Sequence, residues 1–347
     1  SIRLHDGYFT KIKYSYPKKA FIEKLVIYVN GSGPNTYDNK HKWHDGTTSN
    51  YHDFFANEFI KRGIAYCRYN TRGVDTDETP PLYAKINDDE YKTYLPSNSV
   101  KDIEAIINHL KQKDKFKSAK VYLLGWSEGT IIAPLVALND NVKVDALLLA
   151  GYCNENLKDI LTYQLQGYAL FTYWRKVFDY DKKGYICKDD YLTDKYGVRK
   201  EMFGDTDFEE WDKNHDGKLT EEDAGFLTIP HLNNMLKAIE ENDDEWLKYN
   251  HKVRLTSGWF KEHFKLKANK EILPLLDLPI FIFHGEDDAM CTPEYAREIE
   301  LKFKELNKRN LTVYMFDDHD HNLNYHLLHN KEISQGIQKI FEVVERL

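Results

Sequence analysis

Short apolar segments alternate with segments of helical periodicity along most of the chain. The apolar segments are typical of strands buried on both faces, and they cover residues 21–30, 64–70, 121–124, 144–150, 280–283 and 311–316. The intervening segments space apolar residues three and four positions apart, which predicts helices at residues 51–62, 99–111, 293–307 and 333–346 and in a segment ending at residue 137. This alternation predicts a doubly wound α/β fold, in which a mostly parallel sheet is covered by helices on both faces.

The alternation stops after residue 151, and the pattern is then helical, aromatic and acidic until about residue 278. We predict an α/β core formed by residues 1–151 and 255–347. Residues 152–254 are predicted to form a helical cap, inserted above the carboxyl ends of the strands. A chain of 347 residues has room for one large domain with such an insertion.

Composition excludes several classes of protein. Hydrophobic residues make up 41% and aromatic residues 14% of the chain, which is enough for a large core and argues against disorder. A net charge of −8 argues against a nucleic-acid binder. We expect no membrane span, because no apolar run approaches the roughly 18 residues that one requires. The four cysteines form no C-x-x-C motif, and neither the compartment nor the oligomeric state can be predicted.

A G-x-S-x-G motif follows the predicted strand at residues 121–124, and Ser127 is its central residue. The motif holds a serine hydroxyl on a sharp turn between a strand and a helix. Small residues are needed two positions before and after the serine, because neighbouring backbone crowds the turn. The following helix directs its N–H groups and the positive end of its dipole toward the site. We therefore predict that Ser127 is a nucleophile.

An acid and a base for this serine follow in the order expected, each after a predicted strand. Asp287 and Asp288 end the strand near residue 283, and we favour Asp288 because its spacing from Gly285 allows a turn. His319 and His321 follow the strand at residues 311–316, and we favour His321 because it directly precedes the last helical region. The carboxylate would hold the imidazole in its correct tautomer, and the imidazole would deprotonate the serine.

The order of Ser127, Asp288 and His321 on a parallel sheet resembles the α/β-hydrolase family, over residues 1–151 and 255–347. The resemblance implies a serine hydrolase that cleaves small carboxylic esters through an acyl-enzyme intermediate, without an organic cofactor. The alternatives are a peptidase or thioesterase on the same scaffold. A non-catalytic, calcium-dependent binding protein is a further alternative, but such proteins usually lose one of these three side chains.

Residues 30–34, with the sequence NGSGP, resemble the HGSGP turn of small-ester hydrolases in this family. The resemblance implies that the backbone N–H groups of Ser32 and Glu128 form the oxyanion hole, where two donors stabilise the negative charge that develops in the transition state. The segment around Trp259 resembles one near the acyl pocket of related esterases. Trp126 and Trp259 are therefore candidates for the substrate pocket.

Two acidic segments of the cap share one spacing, and we name them the first loop (residues 179–190) and the second loop (residues 212–223). A calcium loop supplies oxygens at positions one, three, five, seven, nine and twelve and has glycine at position six. The candidate ligands are Asp179, Asp181, Tyr185 and Asp190 in the first loop, and Asp212, Asn214, Asp216, Lys218 and Asp223 in the second. Tyr185 and Lys218 would contribute backbone carbonyls.

Together the loops resemble an EF-hand pair, which implies structural calcium. Ile186 and Leu219 at the eighth positions would form the short β bridge that joins paired loops. Two features depart from the pattern: Lys183 occupies a ligand position of the first loop, and position twelve is Asp in both loops. A solvated acidic surface without metal is the alternative, since residues 179–245 contain 20 acidic side chains against nine Lys or Arg.

Overall fold

A seven-stranded sheet lies at the centre of the molecule; the structure is a computed structural model and describes residues 1–43, 45–80 and 83–347. The strands are β1 (Ile2–Arg3), β2 (Phe9–Thr10), β3 (Ile12–Ser15), β4 (Lys24–Val29), β5 (Lys40–Lys42), β6 (Thr48–Asn50), β7 (Ala65–Tyr69), β8 (Val74–Thr76), β9 (Ala84–Ile86), β10 (Lys120–Trp126), β11 (Ala146–Ala150), β12 (Ile186–Cys187), β13 (Lys218–Leu219), β14 (Ile280–Gly285) and β15 (Leu311–Phe316). The central sheet has the order β15-β14-β11-β10-β4-β7-β3.

Helices cover both faces of this sheet. They are α1 (Tyr51–Lys61), α2 (Asp88–Tyr91), α3 (Pro96–Lys111), α4 (Gly129–Leu138), α5 (Leu157–Tyr163), α6 (Ala169–Phe178), α7 (Lys188–Thr193), α8 (Arg199–Phe203), α9 (Phe208–Trp211), α10 (Glu221–Glu241), α11 (Asp244–Asn250), α12 (Ser257–His263), α13 (Asn269–Ile272), α14 (Pro293–Glu305) and α15 (Gln335–Arg346). Successive residues of β4 show the two layers: Leu25 and Ile27 are buried with α3, α4 and α14, whereas Val26 and Tyr28 are buried with α1 and α15.

The predicted doubly wound, mostly parallel fold is confirmed. Every neighbouring pair in the central sheet is parallel except β7 and β3. The six predicted strands all belong to this sheet. The sequence pattern missed β3, because this strand has only four residues, all half-buried at the edge of the sheet. Its pairing with β7 joins segments more than 50 residues apart, such as Ile12 with Tyr69.

The segment between β11 and β14 adds no strand to the central sheet. Its own two strands, β12 and β13, pair only with each other, through Ile186 with Leu219 and Cys187 with Lys218. Part of the segment has a separate hydrophobic core, which consists of Phe171, Trp174, Phe178, Ile186, Tyr191, Phe203, Phe208, Leu219 and Ala224. A second cluster joins α10 and α11 to the α/β core, where Met235 and Leu247 are buried with Ile131. The bounds 152–254 for the cap stay a prediction.

Candidate active site

Ser127 lies at the turn between β10 and α4, with a φ of 54° in the left-handed region. A serine rarely adopts this conformation, and the nucleophile turn requires it. A Cβ atom on Gly125 would lie 2.3 Å from the carbonyl oxygen of Gly129, and one on Gly129 would lie 2.2 Å from that of Val29. The predicted need for small residues on both sides of the serine is therefore confirmed.

Asp288 and His321 form a hydrogen-bonded pair, with 2.8 Å between Asp288 Oδ2 and His321 Nδ1. The other carboxylate oxygen accepts hydrogen bonds from the backbone N–H groups of Met290 and Cys291 at 2.8 and 2.9 Å. Burial raises the pKa of Asp288, but the charge and hydrogen bond of His321 bring it below its ordinary value. Burial lowers the pKa of His321, and the Asp288 carboxylate outweighs this effect and raises the pKa to about 9.

Asp287 and His319, the alternative acid and base, point away from this pair. Asp287 forms an ion pair with Lys176 at 3.0 Å between Oδ2 and Nζ. His319 is buried, and its Nδ1 lies 2.8 Å from the carbonyl oxygen of Asp317. Its Nε2 accepts a hydrogen bond from the N–H group of Gly336 at 3.2 Å. The structure thus brings Asp288 together with His321, whereas His319 fixes the loop that precedes α15.

Ser127 and His321 both lie against the carboxyl end of β11. The N–H group of Ser127 donates a hydrogen bond to the carbonyl of Ala150 at 3.0 Å. One residue later, a Cβ on Gly151 would lie 2.9 Å from Cε1 and 3.1 Å from Nδ1 of His321. The imidazole therefore packs directly on Gly151, where only glycine leaves it room. The nucleophile, acid and base candidates thus converge at the carboxyl edge of the central sheet.

The two predicted oxyanion donors lie beside this serine. A Cβ on Gly31 would lie 3.4 Å from the Cβ of Ser127, so the turn that contains Ser32 borders the nucleophile. Glu128 follows Ser127 at the start of α4. Among the described residues, neither the N–H of Ser32 nor that of Glu128 donates a hydrogen bond within the protein. Both groups therefore remain available to a substrate oxygen.

The side chain of Glu128 is the centre of a buried network that the sequence did not reveal. Its Oε1 accepts hydrogen bonds from Trp259 Nε1 at 3.0 Å and lies 2.8 Å from His263 Nε2. Its Oε2 accepts a hydrogen bond from the hydroxyl of Tyr94. All four side chains are buried. The network ties α12 to the residue that follows the nucleophile, and a G-x-S-x-G motif alone carries no signal for it.

The two tryptophans predicted for the substrate pocket have different surroundings. Trp259 is buried in the interior as a donor to Glu128, so the structure gives it a supporting position instead of a pocket wall. Trp126 does line a cavity of about 150 Å³. The cavity begins directly beside the candidate catalytic triad of Ser127, Asp288 and His321, since the residues before Ser127 and after His321 both line it. Its lining consists of Tyr28, Asn39, His41, Tyr51, Trp126, Asn322 and Tyr325.

This cavity is aromatic and polar at once. Three tyrosines line it, of which Tyr28 and Tyr51 are buried. The indole Nε1 of Trp126 is buried and has no hydrogen-bond partner in the described part of the chain. Buried polar groups are normally hydrogen-bonded, so this N–H is suited to a ligand or to water.

The two acidic loops of the cap have the predicted bridge between Ile186 and Leu219. Asp212 accepts hydrogen bonds from the N–H groups of Asp216 and Gly217 at 3.1 and 2.8 Å. Among the described residues, no Lys, Arg or His forms an ion pair with Asp212, Asp216 or Asp223, although Asp212 and Asp223 are buried. Backbone N–H groups bond to Asp212 and Asp223, but no cationic side chain of the described chain balances the charge of the three carboxylates, and carboxylate oxygens are the ligands that a hard cation prefers.

Calcium binding nevertheless stays a prediction for both loops. In residues 1–43, 45–80 and 83–347, no three His, Cys, Asp or Glu side chains converge closely enough to form a metal site.

Within the same residues, no helix is both long and apolar enough to cross a membrane.

Comparison with known proteins identifies the fold. No family model and no curated protein matches the chain by sequence. Among solved structures, a carboxyl esterase from Bacillus coagulans has a TM-score of 0.55 at 11% identity, covering 99% of this chain and 96% of that one. An esterase from Exiguobacterium antarcticum has a TM-score of 0.52 at 17% identity, with 99% and 98% covered. Est1E from Butyrivibrio proteoclasticus has a TM-score of 0.51 at 12% identity, with 98% and 94% covered. These similarities show that the chain shares the fold of α/β-hydrolases.

Proposed function

We propose that the protein is a serine hydrolase that cleaves carboxylic esters through an acyl-enzyme intermediate. One observation carries the proposal: Ser127 stands in a strained turn at the same edge of the sheet as the hydrogen-bonded pair of Asp288 and His321. The shared fold with three esterases supports it, because in this fold the same edge is available for an acyl-transfer site.

The proposed reaction follows from the position of each group. Because Nδ1 of His321 donates to Asp288, its Nε2 can accept the proton of the Ser127 hydroxyl as the oxygen attacks the ester carbonyl. The N–H groups of Ser32 and Glu128 stabilise the tetrahedral oxyanion, and each such donor contributes about 3 kcal/mol to catalysis. His321 then protonates the departing alcohol, and in the second step it activates the water that releases the acid.

The cavity beside the triad is the proposed binding site for one side of the ester. Its volume of about 150 Å³ suits a single ring, and its tyrosine hydroxyls and indole N–H offer hydrogen bonds to polar substituents. The similar Est1E structure has ferulic acid bound, a molecule of this general shape. We therefore propose small esters that carry a polar ring as substrates, in preference to long apolar acyl chains.

A probe for serine nucleophiles tests the proposal together with steady-state kinetics. We expect a fluorophosphonate to label the wild type, and p-nitrophenyl acetate to be hydrolysed. Ser127→Ala should abolish both signals, whereas Ser97→Ala, an exposed serine at the start of α3, should leave them unchanged. Hydrolysis by folded Ser127→Ala at the wild-type rate would refute the nucleophile. A panel of esters, thioesters and peptides then separates the three acyl-transfer activities.

We further propose that the second loop binds one structural calcium ion. Asp212, Asn214, Asp216 and Asp223 would hold it with their side-chain oxygens, and Lys218 with its backbone carbonyl. The support is the uncompensated charge of three aspartates in one loop. When bound, the ion would neutralise this charge and stabilise the helices on either side of the loop, and it would take no part in ester hydrolysis.

A further inference from the structure

The two loops of the cap share one backbone conformation. Their fourth residues, Lys182 and His215, have φ values of 55° and 60°. Their sixth residues, Gly184 and Gly217, have φ values of 88° and 81°. Positive φ at the same two positions, followed by the β bridge at position eight, shows that the loops follow the same path. A difference between them must therefore lie in the side chains.

The first and last residues of the loops also make equivalent hydrogen bonds. Asp179 accepts from the N–H groups at positions five and six at 2.9 and 2.8 Å, as Asp212 does at 3.1 and 2.8 Å. At position twelve, Oδ2 of Asp190 and Oδ2 of Asp223 each accept from the N–H at position nine at 2.9 Å. These backbone hydrogen bonds are thus shared by both loops, and the second loop adds one, from the N–H of Lys213 to Oδ1 of Asp223 at 2.8 Å.

Position five is where the loops differ. In the first loop, Nζ of Lys183 lies 2.7 Å from Oδ2 of Asp190 and 3.1 Å from Oδ1 of Asp181. These carboxylates occupy positions twelve and three, two of the positions that would coordinate an ion. In the second loop, position five is Asp216, whose carboxylate accepts the N–H of Lys218 at 2.9 Å. The first loop therefore contains a positive charge where the second contains a negative one.

The ammonium group fits this place chemically. It is a compact cation with three donors, and it forms ion pairs with Asp190 and Asp181 at the same time. A divalent ion in the first loop would have to displace this group from both carboxylates and would be repelled by it at close range. The donor set of the first loop therefore does not fit calcium, whereas position five of the second loop carries a carboxylate in place of the ammonium group.

We propose that Lys183 replaces a divalent cation in the first loop, so that this loop is closed by the chain's own ammonium group and only the second loop binds metal. The proposal rests on the cation site proposed for the second loop and is independent of ester hydrolysis. Its consequence is a cap with one permanent cation, the ammonium group of Lys183, and one exchangeable cation, calcium. The first loop would keep its structure in the absence of calcium, whereas the second loop would be stabilised only when calcium is bound.

The test counts calcium ions bound to the full-length chain after treatment with a chelator, by isothermal titration and native mass spectrometry. We expect one ion for the wild type and two for Lys183→Asp, because the substitution restores a ligand at position five. Lys182→Asp is the matched control: it makes the same charge change one residue earlier, where Lys182 forms no ion pair with any described residue. It should bind the wild-type number of ions.

The difference in the number of bound calcium ions between Lys183→Asp and the wild type tests the role of Lys183. The number of ions bound to the wild type tests the site in the second loop. If the wild type binds no ion and Lys183→Asp binds one, the replacement of a cation by Lys183 stands, and the binding of metal by the second loop is wrong. If the wild type binds two ions, or folded Lys183→Asp binds no more than the wild type, the inference is overturned. Asp216→Lys should reduce the wild-type number by one, because it places the same ammonium in the second loop.

Thermal unfolding gives an independent measurement if the substitution Lys183→Asp impairs folding. In chelator, Lys183→Asn should melt below the wild type, since Asp181 and Asp190 lose their only cation in the described structure. Calcium should restore the melting temperature of this variant more than it raises that of the wild type. An equal calcium response in both proteins would contradict the replacement of an ion by Lys183.

Discussion

Replacing Glu128 by Gln tests whether the buried network behind the nucleophile stabilises the fold. The carboxylate faces three buried donors, from Tyr94, Trp259 and His263. A glutamine of the same shape has one acceptor oxygen and one donor nitrogen. Its oxygen can still serve Trp259 and His263, but its nitrogen must then face the Tyr94 hydroxyl, which can accept but no longer donate there. All three hydrogen bonds to a charge become neutral ones, and the one to Tyr94 reverses its direction.

The magnitude follows from these contacts. A hydrogen bond to a charged group contributes about 1.5–3 kcal/mol, and a neutral one about half of that. We therefore expect Glu128→Gln to lower the free energy of unfolding by about 2–4 kcal/mol, measured by guanidinium denaturation followed by tryptophan fluorescence. Glu305→Gln is the control, since Glu305 is exposed at the end of α14 and should change stability by less than about 0.5 kcal/mol. Equal stability of the two variants would refute the reasoning.

Three further predictions concern the turn, the base and the cap. Gly129→Ala should reduce both folding yield and ester turnover, because its Cβ would lie 2.2 Å from the carbonyl oxygen of Val29; a fully active, stable variant would contradict the crowding. Only neutral His321 can accept the serine proton, so kcat/KM for a small ester should rise about tenfold per pH unit and level off near the His321 pKa of about 9. Asp288→Asn should shift this rise to lower pH, because the carboxylate is what raises the pKa of His321. A kcat/KM that is flat from pH 6 to 10 would exclude His321 as the base. Calcium at about 100 times its dissociation constant should stabilise the cap by about 2.7 kcal/mol in differential scanning calorimetry, and Asp212→Asn should weaken this response; a melting curve unaffected by chelator would exclude a structural ion.

Local patterns predicted most of the central sheet. A strand buried on both faces must be apolar at successive positions, so β4, β7, β10, β11, β14 and β15 are all visible in the sequence. The edge strand β3 is not, because half-buried residues at a sheet edge carry no continuous apolar signal. The nucleophile turn is also visible, since its geometry excludes side chains larger than hydrogen at Gly125 and Gly129.

The choice between neighbouring polar residues needed the tertiary structure. Asp287 and Asp288 are adjacent, and only the path of the loop after β14 turns one toward His321 and the other toward Lys176. Trp259 is an aromatic residue in a plausible pocket segment, but the packing of α12 on the core directs its indole to Glu128.

The sequence by itself determined the order of the six buried strands and of the helices between them, the serine turn and the spacing of the two acidic loops, because each of these depends on residues close together in the chain. Tertiary structure decided which acid meets His321, which donors bind Glu128 and which carboxylates pair with Lys183. These contacts join side chains from separate elements, and their distances and directions depend on how those elements pack, which no local pattern encodes.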